Sequence, residues 1–317
     1  MEREIKVSII CCAYNQEKYI ADAINSFLNQ KTDFLYEILI SDDASTDRTA
    51  DIIRNYERKY PDLIKPEYFS ENQYSKGRYP GNILIERAKG KYLAICEGDD
   101  YWTSSLKLQK QYDAMEKHPE CDMCAHSAYM VSAGNQKTIG FVEPMKEDGI
   151  LTMDQIITGG GNFLATNSLF YRRSMKEQPA RFVEKYPIDY AIQMNGAMRG
   201  GILFLHEFMS AYRRGADNSW TLHMEQHQNV MVQHVKQMMK LLDMVDDETN
   251  YKYSESIKYA QLKYEFQIAS LNRDRRQIYD KKFLSLRREM TPKKKLILFL
   301  KCHAFWALKL WQKGRGH

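Results

Sequence analysis

The sequence predicts an α/β fold with a doubly wound, mostly parallel sheet, followed by a helical extension. Strand and helix signals alternate through the first 125 residues, and acidic pairs follow two of the predicted strands. After Trp220 the composition changes to long polar helices rich in Gln, Met, Lys and Tyr. We therefore expect an α/β domain over residues 1–220 and a helical extension over residues 221–317.

The individual elements follow from apolar runs and from cap and turn residues. Residues 5–12 form a continuous β-branched run, as expected of a strand that is buried on both faces. A helix with one apolar stripe is predicted over 17–29, and Ser45–Asp47 supply cap chemistry for a helix that runs to about Tyr60. The remaining predictions are strands at 37–41, 65–69, 91–96, 168–171 and 202–205, and helices after Pro80 and Asp189.

Acidic residues follow two strands that we expect to be parallel neighbours. Asp42-Asp43 end the strand at 37–41, and Glu97-Gly98-Asp99-Asp100 end the strand at 91–96. Ligands in such sheets bind beyond the carboxyl ends of the strands. Carboxylates that share a crevice repel each other unless a cation joins them, and Mg²⁺ or Mn²⁺ is commonly held by one carboxylate and completed by diphosphate oxygens. The alternative is structural: solvated turns, or caps of the helices that follow.

Two segments carry a family resemblance. The first contains V-S-I-I (7–10), Y-N (14–15) and D-D-A-S-T-D (42–47), and the second is A-K-G-K-Y-L-A-I-C-E-G-D-D-Y-W (88–102). Together they resemble the family 2 glycosyltransferases, in the branch that reads E-G-D-D-Y-W, over roughly residues 5–220. The resemblance implies the GT-A nucleotide-sugar-binding fold. It also implies a metal-dependent, inverting transfer of a sugar from a nucleotide diphosphate, expected to be a UDP-sugar. The expected acceptor is a carbohydrate or a lipid-linked glycan, in bacterial-type surface polysaccharide synthesis.

The resemblance also implies roles for individual residues. At the nucleobase it places Ala13, Tyr14, Asn15 and one of Asp42 and Asp43, which can accept the imide N–H of uracil. It places Glu97 near the ribose and Asp99 on a divalent metal, Mn²⁺ or Mg²⁺.

Further residues are expected around the sugar and the acceptor. Asp189 resembles the catalytic base of the family, with a helix N-cap as the structural alternative. Asp100, Trp102 and Tyr190 are expected at the sugar or acceptor, because flat rings pack against sugar C–H faces. Arg213 and Arg214 are expected to face the diphosphate, and a solvated basic pair is the alternative.

Charge is distributed unevenly along the chain. Residues 273–317 hold 14 Lys or Arg against 3 Asp or Glu, whereas the rest of the chain has a net charge of −6. Lys293–Lys295 precede an apolar segment that lysines interrupt, a pattern that favours a helix lying on an anionic membrane surface. The alternatives are a terminal helix packed on the protein and a homodimer formed through the C-terminal helices. The sequence has no signal peptide signature and no run of about 18 consecutive apolar residues. We therefore expect a cytoplasmic protein, peripheral on the inner face of the cell membrane.

Other functional classes fit less well. A dehydrogenase needs a Gly-rich turn after the first strand, where this chain has Ala13–Glu17. A non-catalytic module that binds membranes or nucleic acid through the basic tail is the alternative function, but the acidic body and a tail rich in Leu, Phe and Trp argue against nucleic acid. The single C-x-x-C pair, Cys121 and Cys124, is interpreted as buried strand thiols rather than as half of a zinc site.

Overall fold

The computed structural model describes residues 4–304. Its strands are β1 (Ile5–Ala13), β2 (Leu35–Asp42), β3 (Ile64–Tyr68), β4 (Tyr92–Ile95), β5 (Tyr101–Trp102), β6 (Met123–Ser132), β7 (Thr138–Val142), β8 (Gly149–Leu151), β9 (Phe170–Arg172) and β10 (Ile202–Arg214). They form one sheet in the order β3-β2-β1-β4-β9-β6-β10-β5, with β7 beside β6 and β8 beside β10. The two longest ladders, β6–β10 and β1–β2, are parallel, which confirms the predicted mostly parallel α/β sheet.

Helices lie between the strands along the chain, and helices alone follow β10 in the described residues. The helices up to the end of the sheet region are α1 (Ile20–Leu28), α2 (Thr49–Lys59), α3 (Gly81–Arg87), α4 (Lys107–Lys117), α5 (Met153–Gly159), α6 (Arg181–Lys185) and α7 (Asp189–Ala197). The later helices are α8 (Trp220–Gln226), α9 (Gln228–Glu248), α10 (Ser254–Leu271), α11 (Arg275–Ile278), α12 (Leu284–Glu289) and α13 (Pro292–His303). The chain divides into two compact units between His223 and Met224, a division that lies within α8 and close to the boundary expected at residue 220.

The core of the first unit lies on the sheet. Val7, Ile9 and Cys11 of β1 are fully buried, together with Ile24 and Phe27 of α1. Alternate residues of β1 therefore face this helix, and the intervening Ile10 is also buried, as expected of a central strand covered on both sides. This arrangement fixes the carboxyl end of β1 in the middle of the sheet.

The second unit has its own small core. It is formed by side chains of α10 to α13: Phe266, Ala269, Ile278, Phe283, Leu286 and Leu298. Leu298 lies on α13 and is buried in this cluster, whereas Leu296 and Phe299 of the same helix are 55% and 51% exposed. One face of α13 is thus packed within the helical unit, and another presents large apolar side chains to the surface. None of the helices within residues 4–304 is both long and apolar enough to cross a bilayer.

Candidate active site

Two acidic turns converge on the end of β1. β1 lies between β2 and β4, so the residues after these three parallel strands emerge at the same edge of the sheet. The Asp43 N–H donates to the carbonyl of Ala13 at 2.9 Å, and the Gly98 N–H donates to the carbonyl of Cys12 at 3.0 Å. The structure therefore brings together the two clusters that the sequence places 50 residues apart.

The turn formed by residues 97–100, here called the acidic turn, packs closely on the loop after β1. A Cβ atom added to Gly98 would lie 2.3 Å from the Gln16 side-chain oxygen and 2.8 Å from Ile20. Glycine therefore allows this close approach, since a larger residue would have to displace the ends of these two side chains. The Asp100 N–H donates to the Glu97 carbonyl at 3.0 Å and closes the turn.

Three carboxylates influence one another beyond this edge of the sheet. Burial, together with the negative charges of Asp189 and Asp99, raises the pKa of Glu97 to about 8. Burial also raises the pKa of Asp99 and of Asp189. Carboxylates that are enclosed and repel each other are stabilised by a bound cation or by protonation. Glu97 and Asp99, which follow β4, thus lie close enough to Asp189 of α7 for the charges to interact.

Asp189 is the first residue of α7, and it does not act as the helix cap. Ile188 occupies the N-cap position and no side-chain cap is formed there. The Asp189 carboxylate instead accepts a hydrogen bond from the Thr166 hydroxyl. Both residues line a small cavity with Tyr79 and Tyr171. Asp189 is therefore not the helix N-cap that the structural alternative proposed. Its carboxylate lies beside a cavity instead.

The loop after β1 and the loop after β2 are joined by side chains. Asn15 has a left-handed backbone conformation, with φ of 50°, which asparagine adopts more readily than most residues. Its amide oxygen accepts from the Thr46 N–H at 2.8 Å, and its own N–H donates to the Ser45 hydroxyl at 3.0 Å. Ala13 is buried, and Tyr14 is 38% exposed. These loops form one wall at the end of the sheet.

Asp42 and Asp43 are both buried but are bonded differently. Both oxygens of Asp43 accept backbone N–H groups, from Gln73 at 2.6 Å and from Tyr74 at 3.1 Å. One oxygen of Asp42 accepts from the Ser45 N–H at 3.2 Å, and the other is buried without a hydrogen-bond partner among the residues described. Burial raises the pKa of Asp42. Asp42 thus stabilises the turn that follows it, and Asp43 anchors the loop after β3.

Asp100 and Trp102 point into the protein. The two Asp100 oxygens accept from the Arg213 N–H at 2.8 Å and from the Asn167 side-chain amide at 2.9 Å. Trp102 is 4% exposed, and its indole N–H donates to the Asn167 carbonyl at 3.0 Å. The ammonium of the buried Lys107 lies 4.2 Å from the Trp102 ring centroid, and burial lowers the pKa of Lys107 to about 7. These contacts tie the acidic turn to the sheet.

Tyr190 and Arg213 are also buried. Tyr190 is 2% exposed, and its hydroxyl donates to the Ile157 carbonyl at 2.6 Å. Arg213 is 2% exposed, and its guanidinium donates to the carbonyl of Asp99 at 2.8 Å and to the carboxylate of Asp22. Arg213 is therefore not half of a solvated basic pair.

The acidic residues fit a cation that is held jointly with a substrate. Within residues 4–304, no group of three or more His, Cys, Asp or Glu side chains is arranged to hold a metal ion. The acidic turn nevertheless offers Asp99 beside Glu97 in an enclosed, negatively charged place. One or two carboxylates completed by phosphate oxygens and water is the usual coordination of Mg²⁺ with nucleotides. The protein thus supplies part of a coordination shell.

Sequence reasoning missed several residues of this region. Thr166 and Asn167 lie in a 3-10 turn before β9, and Asp22 lies on α1. Their polar side chains are ordinary for turns and helix surfaces, so the sequence contains no signal that they contact the acidic residues. The buried Cys121 and Cys124 are free thiols, consistent with the structural interpretation.

Comparison with known proteins agrees with this geometry. The family model described as Glycosyl transferase family 2 matches residues 8–220. An uncharacterized protein of Mycobacterium tuberculosis is 38% identical over 216 residues, which make up 68% of this chain and 60% of that protein. The chain therefore spans about 60% of the length of this relative. An uncharacterized glycosyltransferase of Nostoc is 32% identical over 227 residues, covering 68% of this chain and 66% of that protein.

Solved structures share the fold at low identity. The Staphylococcus aureus protein TarS, residues 1–349 in complex with UDP, matches 95% of this chain and 81% of its own with a TM-score of 0.57 and 17% identity. A Pyrobaculum calidifontis mannosyltransferase in complex with GDP-Man and Mn²⁺ matches 99% and 83% with a TM-score of 0.55 and 13% identity. These neighbours confirm the predicted GT-A fold. Because the family model covers more than half of the sequence, the chain belongs to glycosyl transferase family 2.

Proposed function

We propose that this glycosyltransferase moves a sugar from a UDP-sugar to a carbohydrate or lipid-linked glycan acceptor with inversion at the anomeric carbon. The observation that carries the proposal is the shared electrostatic environment of Glu97, Asp99 and Asp189 at the end of the parallel strands. A nucleotide diphosphate bound there would lie between the acidic turn and the wall formed by the loops after β1 and β2.

Asp189 is the proposed general base. Its carboxylate lies beside a cavity and is held by the Thr166 hydroxyl, so its orientation is fixed before substrate binds. Burial raises its pKa, which makes the ionised form a stronger base. Asp189 accepts the proton of the acceptor hydroxyl as that oxygen attacks the anomeric carbon. A single base and a direct displacement give inversion.

Asp99, with Glu97 beside it, is the proposed protein contribution to a divalent metal site. A divalent ion bound there supplies Lewis-acid stabilisation of the charge that grows on the departing diphosphate. The Mn²⁺ in the complex of the mannosyltransferase neighbour supports this assignment. Glu97 is proposed to lie near the ribose.

UDP is the proposed nucleotide. Asp42 or Asp43 accepts the imide N–H of uracil in this proposal, within a pocket lined by Ala13, Tyr14 and Asn15. The UDP complex of the TarS neighbour supports it.

Arg213 and Arg214 were expected at the diphosphate. Because the guanidinium of Arg213 is buried against Asp22 and Asp99, only Arg214 is retained for that role in this proposal. Three buried residues are proposed to support the sugar and acceptor region from beneath its surface: Asp100, Trp102 and Tyr190.

Relatives support a place in cell-surface polysaccharide synthesis. The TarS protein of Staphylococcus aureus, a poly(ribitol-phosphate) beta-N-acetylglucosaminyltransferase, is 35% identical over 100 residues, which cover 31% of this chain and 17% of that protein. The match falls on a part of each chain, so the acceptor of TarS does not define the acceptor here. We propose a glycan acceptor of the cell surface.

Replacement of Asp189 tests the proposed mechanism. Asp189→Asn should lower turnover with a UDP-sugar by at least about 100-fold, because an amide cannot accept the proton. Asp113→Asn, on the exposed part of α4, is the matched control and should retain activity. Binding of UDP in the presence of Mn²⁺, followed by thermal shift, should persist in both variants. Turnover of Asp189→Asn within a few fold of wild type would contradict the assignment.

We also propose that the helical unit meets an anionic membrane. Leu296 and Phe299 are exposed on α13, whose first turn contains Lys293–Lys295. The predicted continuation of this amphipathic segment to Trp311 lies outside the described residues. Flotation with vesicles that contain anionic lipid should recover the protein at low salt, and Leu296→Asp/Phe299→Asp should reduce that recovery. Equal recovery of variant and wild type would contradict the proposal.

A further inference from the structure

The buried cation Arg213 holds the acidic turn from the interior of the protein. This arginine is 2% exposed, and buried arginines are rare unless their charge is paired. Its guanidinium donates to the carboxylate of Asp22 on α1, and it lies over the rings of Tyr19 and Tyr101, at 5.1 Å and 4.6 Å from their centroids. The charge is thus compensated inside the protein.

Arg213 contacts two consecutive residues of the acidic turn. Its guanidinium donates to the carbonyl of Asp99 at 2.8 Å, and its backbone N–H donates to the carboxylate of Asp100 at 2.8 Å. The second oxygen of Asp100 accepts from the Asn167 amide at 2.9 Å. The Asp99 carbonyl and the Asp100 carboxylate are therefore both held by Arg213 of β10, and the Asp100 carboxylate is also held by the turn that contains Asn167.

The backbone is held on both sides of Asp99. Before it, the Gly98 N–H donates to the Cys12 carbonyl, and after it the Asp99 carbonyl accepts from Arg213. These two bonds together limit the direction of the Asp99 Cα–Cβ bond. From these contacts we propose that Arg213 is a positioning residue, which holds the acidic turn so that the Asp99 carboxylate is presented to a cation bound with the nucleotide diphosphate. This inference rests on the proposed function of the same site.

The same contacts argue against a direct role of Arg213 at the diphosphate. Two of its N–H groups are used by Asp22 and Asp99, and two aromatic rings lie against the guanidinium. Lysine at this position would keep the positive charge but could not bridge the two acceptors with a planar fork. Arg213→Lys therefore separates positioning from charge.

Manganese binding provides the test. Free Mn²⁺ is measured by electron paramagnetic resonance during titration of the full chain with UDP present. Arg213→Lys should raise the Kd for Mn²⁺ by about tenfold, the scale of effects from residues that orient metal ligands. UDP binding in EDTA, measured by calorimetry, should stay within about twofold of wild type, because the guanidinium does not contact the nucleotide in this proposal.

Arg172→Lys is the matched control. Arg172 is also a largely buried arginine of the sheet, and it donates to the carbonyls of Cys121 and Met115 and to the Tyr92 hydroxyl. Its replacement should lower the melting temperature to a similar extent but leave the Kd for Mn²⁺ unchanged. If both variants weaken Mn²⁺ binding equally, the effect of Arg213 is general destabilisation and the proposal is wrong.

A second variant covers the case in which Arg213→Lys does not fold. Asp22→Asn removes the charge that orients the guanidinium while Asp22 itself is 46% exposed, so folding should persist. It should raise the Kd for Mn²⁺ by about threefold, a smaller effect because the bond to Asp99 remains. An unchanged Kd in this variant, or a loss of metal-free UDP binding in Arg213→Lys, overturns the positioning role. Failure of wild type to bind Mn²⁺ with UDP overturns the proposed function as well.

Discussion

Two Asp-Asp pairs end neighbouring regions of the sheet, and the protein holds them in different ways. Asp42-Asp43 follows β2 and is held by backbone N–H groups of Ser45, Gln73 and Tyr74. Asp99-Asp100 follows β4 and is held by side chains as well, from Arg213 and Asn167.

The difference shows how one dipeptide can serve two purposes. In the second pair Asp100 fixes the turn from inside, which leaves the adjacent Asp99 to be oriented by the turn. In the first pair Asp43 fixes a loop, and Asp42 keeps a buried oxygen without a partner among the described residues. Adjacent identical residues are thus distinguished only by their partners.

The largest expected effect comes from Asp100. Asp100→Ala leaves the Arg213 N–H and one N–H of the Asn167 amide buried without this acceptor, at about 1–3 kcal/mol each, while the same amide nitrogen still donates to the Ala211 carbonyl. We expect the free energy of unfolding to fall by about 3 kcal/mol in chemical denaturation. Asp99→Ala should change it far less, since the Asp99 side chain is not the acceptor for the Arg213 N–H or for the Asn167 amide. Equal destabilisation by the two variants would remove the distinction between them.

Replacement of Lys107 should have the next largest effect on stability. It tests whether the amine is buried beneath the acidic turn. The pKa of Lys107 is lowered to about 7 in the folded protein, whereas the amine of an unfolded chain titrates near 10.5. Between these pH values the unfolded chain binds more protons, so this residue makes stability rise with pH; below pH 7 its contribution is constant.

Lys107→Met removes that dependence. From pH 7 to pH 9 wild type should gain about 2 kcal/mol relative to the variant, because one proton corresponds to about 1.4 kcal/mol per pH unit. Denaturation curves of both proteins at pH 6, 7, 8 and 9 measure the difference. Parallel pH dependences of the two proteins would show that burial does not lower the pKa of this amine, and would contradict the prediction.

Replacement of Asp43 should have the smallest effect on the free energy of unfolding, and its structural effect should be local. Asp43→Ala removes the acceptor of the Gln73 and Tyr74 N–H groups, but water can replace it in this partly exposed loop. We expect a loss of about 1 kcal/mol, together with faster amide hydrogen exchange at these two residues. Asp42→Ala is the control that should leave their exchange unchanged. A global loss as large as that of Asp100→Ala would mean that both strand ends are held alike.

The first half of the sheet could be predicted from the sequence because its strands are continuous apolar runs. β1 and β4 are buried on both faces and are flanked by turn residues, so their positions agree with the predictions within about two residues. β6 was expected only as a strand that contains the thiols of Cys121 and Cys124, and its bounds were not predicted. It contains His126 and Ser127, both fully buried in the centre of the strand, which disrupt the apolar pattern.

The site was predictable only in part for a related reason. Strand ends can be located by pattern, so the convergence of the residues after β2 and β4 could be expected. The partners of those residues could not, because Asn167 and Arg213 follow Asp100 by 67 and 113 residues. Arg213 was expected to be exposed to a ligand, since a polar sequence such as Tyr-Arg-Arg does not indicate burial. The burial of Arg213 becomes evident only from the packing of β10 into the sheet.

The bond between Arg213 and the acidic turn also bears on the order of folding. Contacts between residues far apart in sequence form late, because a long loop must be closed first. A growing chain that ends before residue 213 contains every carboxylate of the proposed site but lacks the arginine that fixes Asp99. Synthesis of β10 therefore completes this region, and the β1–α7 segment alone would carry the acidic residues without the hydrogen bond from Arg213 to Asp99.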